Sequence, residues 1–214
     1  MTDKPRQLTF LPETKPHSFQ PPWESACTLV ELEKIVKACR RCRLRDSCKQ
    51  VIFGEGKADA DIVLIGEGPG RAEDQQGRPF VGPAGQLLTN IFSAVGLNRT
   101  EVFISNIVKC RPPSNRTPIP AEVRTCLPFL RAQLRLIQPK IIVCLGALAS
   151  QTLIDPSIRI TRSRGLWARK NGYLIMPTFH PAALLRDPRK KKPVWEDFQA
   201  IMERYQEIKT ETLP

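Results

Sequence analysis

The stretch Asp61-Ile-Val-Leu-Ile-Gly-Glu-Gly-Pro-Gly70 decides the fold. An apolar run that closes in a glycine-rich turn reads as a buried strand whose tip offers backbone N–H groups and one carboxylate, Glu67, to a ligand. Working outward, Val102 to Val108 and Lys140 to Leu145 read as two more strands. Gly165 to Arg169 and Gly172 to Pro177 form a pair turning at Asn171-Gly172. Helical spacing covers Gly85 to Val95, Pro120 to Ile137 and Trp195 to Tyr205. A capping box of Thr28 and Glu31 opens an earlier helix that delivers Cys39 at its end. Strands alternating with helices predict an α/β protein on a mainly parallel sheet, with its chemistry at the carboxyl ends of the strands, where Glu67, Asn106 and His180 fall.

The chain has 214 residues, 41% of them apolar, enough for one substantial core. The expected organisation is a flexible arm over residues 1–25, docking through an aromatic such as Phe10, Phe19 or Trp23, a single domain over 26–209, and a tail over 210–214. A formal charge of +12 and a pI near 9.7 favour a polyanionic partner, nucleic acid before a membrane surface. No window of about eighteen apolar residues occurs, so no membrane span is expected. The N-terminus also lacks the apolar core of a signal peptide, and an intracellular, cytoplasmic protein follows as the expectation. There its seven cysteines stay reduced, which points to metal ligation rather than disulfides.

Cys39-Arg-Arg-Cys42 places two thiolates on one short turn. Cys110 follows a strand end, and Cys126 lies sixteen positions later in the next helix, so both can converge on the first pair. Spacing alone leaves zinc open and does not choose Cys126 over Cys48 as a fourth ligand. Cys144, inside an apolar strand, reads as core, while Cys27 and Cys48 read as spare thiols. The turn Gly66-Glu-Gly-Pro-Gly70 has a rival reading as a dinucleotide-binding loop. That reading fails because Pro69 removes a phosphate-binding N–H and the third glycine comes too early.

Together with Gly77-Arg-Pro-Phe-Val-Gly82, Asn106-Ile-Val-Lys-Cys110-Arg-Pro-Pro113 and Phe179-His-Pro181, these motifs resemble the family four uracil-DNA glycosylases, over roughly Thr28 to Phe198. The resemblance implies a three-layer α/β/α sandwich around a central, mainly parallel four-stranded sheet. It also implies a 4Fe-4S cluster on Cys39, Cys42, Cys110 and Cys126, and a monomer acting on uracil-containing DNA, single- or double-stranded. An enzyme that excises a base must extrude it, read its edge and clamp its face. Under the resemblance Glu67 and Gly68 hold uracil and the attacking water, Phe80 stacks on the pyrimidine, and the Asn106 amide reads O4 and N3–H. His180 is then expected to reach uracil O2 and steady the leaving anion.

Gly68 stands where better-known relatives carry an aspartate, and Gly70 where they carry a thymine-excluding tyrosine; Glu73 is the candidate for policing the 5-methyl position. Leu184 is the expected wedge into the duplex, with Arg186 and Arg111 on the DNA strand. The 114–120 loop holds no histidine, so turnover without covalent trapping is expected. The alternative from another class is a non-catalytic iron-sulfur module that binds DNA or a replication protein.

Overall fold

The computed structural model describes residues 21–211. Six strands form one sheet: β1 (Glu55–Gly56), β2 (Ile62–Gly66), β3 (Phe103–Asn106), β4 (Ile141–Leu145), β5 (Ala168–Lys170) and β6 (Tyr173–Thr178). Their order is β1-β3-β2-β4-β6-β5. The four interior strands are mutually parallel, as expected, and two short antiparallel strands are added at the edges, making six strands rather than four. A two-residue edge strand is too short to leave a periodic signal, so β1 escapes any pattern reading. The β5–β6 hairpin turns at Asn171 and Gly172, whose φ values of 50° and 83° suit the predicted turn.

The helices are α1 (Pro22–Ser25), α2 (Leu29–Lys37), α3 (Leu44–Ser47), α4 (Arg71–Gln76), α5 (Pro83–Ala94), α6 (Pro120–Ile137), α7 (Ala147–Leu153), α8 (Ile160–Ser163), α9 (Pro181–Arg186) and α10 (Lys191–Glu211). Strand side chains alternate between faces, and each face buries its own core. Val63, Ile65, Ile142, Cys144 and Ile175 pack with Leu32 and Val36 of α2, Phe129 and Leu130 of α6 and Ala149 of α7. Ile62, Leu64, Val143 and Met176 pack with Leu88 and Phe92 of α5, Leu184 of α9 and Phe198 and Ile201 of α10. This is the three-layer sandwich. Among the described residues no helix is long and apolar enough to cross a membrane.

The cap of α2 differs slightly from its expected form. Thr28 Oγ1 accepts from Glu31 N–H, but the Glu31 carboxylate turns to Cys27 N–H, one residue upstream of the cap. Phe10 and Phe19 of the expected arm lie outside the described residues. Its last part is folded against the domain, because Trp23 meets the Phe129 ring edge-on at 5.2 Å and the Arg41 guanidinium lies 4.2 Å over the indole. At the other end α10 continues to Glu211, two residues past the expected domain limit.

Chain order reverses beside β2, since β3 lies on one side of it and β4 on the other. A crevice therefore opens at the carboxyl ends of these strands. One polar tie holds this end to α10: buried Asp197 accepts from Arg164 Nε at 2.9 Å, from Arg164 Nη2, and from Thr178 Oγ1 at 2.5 Å, two residues before His180. Asp197→Ala is expected to cost about 3 kcal/mol by stranding a poorly solvated guanidinium. Urea unfolding would show it as a lower midpoint at unchanged slope; a loss below about 0.5 kcal/mol would remove the tie from the stabilising interactions.

Candidate active site

The crevice is a cavity of about 510 Å³ walled by four strand tips and the loops that leave them. Glu67, Gly68, Phe80, Asn106 and His180, far apart in sequence, all line it. A volume of this size suits a single nucleotide base and its sugar. The β2 and β3 tips stay zipped beyond the strands, through Ile107 N–H to Gly66 O at 2.9 Å and Val108 N–H to Glu67 O at 3.2 Å. Gly66 is required by close approach: a Cβ there would stand 2.5 Å from Asn106 Oδ1 and 2.6 Å from Phe80 Cζ.

Asn106 is 2% exposed, and its Oδ1 is buried with no hydrogen-bond partner. A buried carbonyl oxygen left unmatched costs free energy unless a ligand donates to it. Phe80 closes the facing wall, its ring 5.6 Å from the His180 imidazole. The Phe80 backbone is left-handed, φ 50°, and Gly85 makes room behind it, since a Cβ there would sit 1.9 Å from Phe80 O.

His180 caps α9. Ala182 N–H donates to its Nδ1 at 3.2 Å, so the neutral ring carries its proton on Nε2. Burial, helped by Arg186 and opposed by Glu73, pulls its pKa down to about 4. Glu67 is partly buried; desolvation raises its pKa and a hydrogen bond with the Thr117 side chain opposes the rise.

Glu73 lines the cavity, and it also has a structural task. Its Oε1 accepts from Val81 N–H at 3.0 Å and Gly82 N–H at 2.9 Å, and its Oε2 from Gly70 N–H at 3.1 Å. Both oxygens are thus committed to holding the loop after Phe80 against the turn after Glu67. Leu184 departs from expectation. It is 1% exposed and belongs to the core beneath α9, because the helical turn directs position 184 inward; Leu185 is the exposed leucine, at 50%. Arg186 is exposed at the cavity rim. Arg111 points its Nε to Asn115 Oδ1 at 2.8 Å and stays outside the lining, to which its neighbours Pro112 and Asn115 contribute. Arg189 and Lys190 of the basic run pair with Asp187.

Cys39, Cys42, Cys110 and Cys126 line a second, apolar cavity with Val36, Leu44, Val51 and Phe129. Cys48 does not line it, and Arg45 Nη1 lies 3.7 Å from its sulfur. All seven cysteines are free thiols. Among the described residues no three His, Cys, Asp or Glu side chains are gathered tightly enough to hold a single metal ion. Four soft sulfur donors spread around an apolar wall, with no carboxylate in the lining, have the chemistry of an iron-sulfur site. Burial pushes the Cys126 thiol up to about 11 and raises Cys42 and Cys110 as well, so any group bound there must displace protons.

Between the two cavities lies a residue that sequence reading passed over. Lys109 is fully buried, and its Nζ donates to Ser105 Oγ at 2.6 Å, Asn106 O at 2.9 Å and Gln133 Oε1 at 2.6 Å, while its N–H points to Cys126 Sγ at 3.3 Å. Desolvation lowers the lysine to about 8, and the Cys126 sulfur counters part of the fall. Its position three residues past Asn106 and next to Cys110 is the only sequence cue to this bridge. Arg116 was also missed; it lines the active-site cavity with its guanidinium fixed in two bonds, at 2.8 and 2.7 Å, to Glu122.

The family model described as the Uracil DNA glycosylase superfamily matches residues 53–199. A type-4 uracil-DNA glycosylase of Thermotoga maritima is 48% identical over 156 residues, 71% of this chain and 80% of the relative. Namesakes from Sulfurisphaera tokodaii, 42% identical over 82% of this chain and 84% of the relative, and Archaeoglobus fulgidus, 39% over 82% and 92%, extend the match. With the pocket residues and the cysteine set on one scaffold, the chain belongs to the uracil DNA glycosylase superfamily, among its type-4 uracil-DNA glycosylases.

Proposed function

We infer that the protein is a DNA repair glycosylase that draws uracil out of DNA and hydrolyses its N-glycosidic bond, releasing free uracil and leaving an abasic site. The observation that carries this reading is the orphaned Asn106 Oδ1, a buried acceptor on a residue that lines a base-sized cavity. Uracil N3–H donates to that oxygen, and the amide nitrogen donates to O4. Cytosine has no N3 proton and presents an amino group at C4, so both contacts fail and its entry is penalised. Phe80 stacks on the ring face.

As the bond from C1′ to N1 breaks, its electron pair passes to the base and charge accumulates on O2. Nε2–H of neutral His180 supplies a preorganised donor for that oxygen. Water adds to C1′ on the sugar, and the proton it gives up ends on the departing uracil anion, giving neutral uracil; Glu67, whose carboxylate burial makes more basic, orients that water beside Gly68. No lysine lines the cavity among the described residues, which favours simple hydrolysis over Schiff-base chemistry. The enzyme is read as a monomer acting on single- or double-stranded DNA. Leu185 replaces Leu184 as the wedge for the vacated stack, with Arg186 beside it on the phosphates and Arg111 bracing the Pro112 loop.

We assign the four-cysteine cavity to a 4Fe-4S cluster held by Cys39, Cys42, Cys110 and Cys126. The bound cluster supplies a four-point crosslink between the segment after α2, the loop after β3 and α6. That crosslink would steady the loop that begins at Asn106.

An oligonucleotide carrying one uracil tests the function. Alkali-labile cleavage at that position is expected, whereas binding without cleavage would favour the non-catalytic module. Asn106→Asp is expected to lower uracil release by about a hundredfold or more, and an undiminished rate would remove Asn106 from base reading. In NMR titration the His180 ring is expected to stay neutral through pH 6 and to protonate near 4. The unfolded chain takes that proton near 6.5, so the histidine's share of stability is complete above about 6.5 and disappears as pH falls toward 4. A midpoint near 6.5 in the folded protein would overturn the neutral-donor assignment. Cys110→Ser is expected to bleach the visible absorbance of the purified protein; an unchanged spectrum would exclude Cys110 as a ligand.

A further inference from the structure

We propose that Arg99 is a positioning residue that holds Phe80 in its base-stacking conformation; this rests on the reading of Phe80 as the wall against uracil. Arg99 stands nineteen residues from Phe80 and outside every motif that marks the pocket. Its Nη1 donates to Phe80 O at 3.1 Å and its Nη2 to Pro79 O at 2.5 Å, so one planar group grips two consecutive carbonyls.

The gripped residue is one that needs holding. A phenylalanine at φ 50° occupies a sparsely populated backbone region and persists there only when its surroundings over-determine it. The neighbouring groups supply the other constraints. Glu73 takes the two N–H groups that follow Phe80, and Arg78 just before it is clamped to Glu55 through Nε at 2.8 Å and Nη2 at 2.6 Å. Among the described residues, Arg99 supplies the side-chain hydrogen bond to the carbonyl of the left-handed residue itself. The arginine is in turn fixed, because it opens a capped turn in which Asn98 Oδ1 accepts from Thr100 N–H and Glu101 Oε2 from Asn98 N–H. That turn leads directly into β3, so the loop bearing Phe80 takes its reference from the strand that ends in Asn106. The wall and the edge reader of the pocket are thereby set against one another through Arg99.

A double-mutant cycle on uracil release tests this, using wild type, Arg99→Gln, Phe80→Ala and the double variant. Arg99→Gln alone is expected to lower kcat/KM by about tenfold to a hundredfold. In the Phe80→Ala background the same change is expected to cost less than about twofold, since the ring it positions is gone. An equal loss in both backgrounds would overturn the proposal and leave the arginine a general fold contact. If Phe80→Ala releases uracil at the wild-type rate, the stacking reading fails and this inference with it. If Phe80→Ala is impaired and Arg99→Gln is not, this inference alone fails. Should Arg99→Gln not fold, Arg99→Lys keeps the cation without the two-carbonyl grip and enters the same cycle.

Discussion

The contact on which the molecule depends is the near-touching of three side chains' worth of space at the tips of β2 and β3. Gly66 yields its volume so that the Asn106 amide and the Phe80 ring can close over one backbone position. Parallel strands place their carboxyl ends side by side, and a reversal of strand order leaves the gap beside them open. Into that gap the chain sends a carboxamide with an unmatched oxygen, an aromatic face and a neutral imidazole. Desolvation makes each polar partner count for more than it would in water, and it makes an empty pocket costly.

Much of this was legible in the residues. The apolar run ending at Gly66 and the alternation of strands with helices led to the sandwich, and the separated motifs led to the pocket residues that now share one cavity. What stayed hidden lay below the reach of periodicity. Strand β1 has two residues, and whether position 184 or 185 faces outward depends on the phase of a six-residue helix, which neighbouring leucines leave undetermined. Glu73 could be marked as chemically interesting, but only the fold shows that three N–H groups consume it. Lys109 reads as one more cation in a basic protein, and its burial follows from packing against Ser105 and Gln133, residues 4 and 24 positions away.

Charge is handled in two ways. Exposed pairs such as Arg204 with Glu207 contribute little. The buried ones hold geometry: Asp197 anchors Thr178 beneath the loop to His180, and Lys109 anchors the Asn106 carbonyl over the cysteine wall. A buried ammonium satisfied by three neutral oxygens is expensive to desolvate, and those bonds must offset that cost.

The sheet separates these two anchors, and this has a consequence for how the protein can change over time. The Asn106 backbone is held from the side that carries α6, through Lys109 and Gln133, whereas Thr178, just before the His180 loop, is tied to α10 on the other side through Asp197. A substitution deep in either layer can therefore reach the pocket without touching it, from one side by displacing the Asn106 backbone and from the other by displacing the loop to His180.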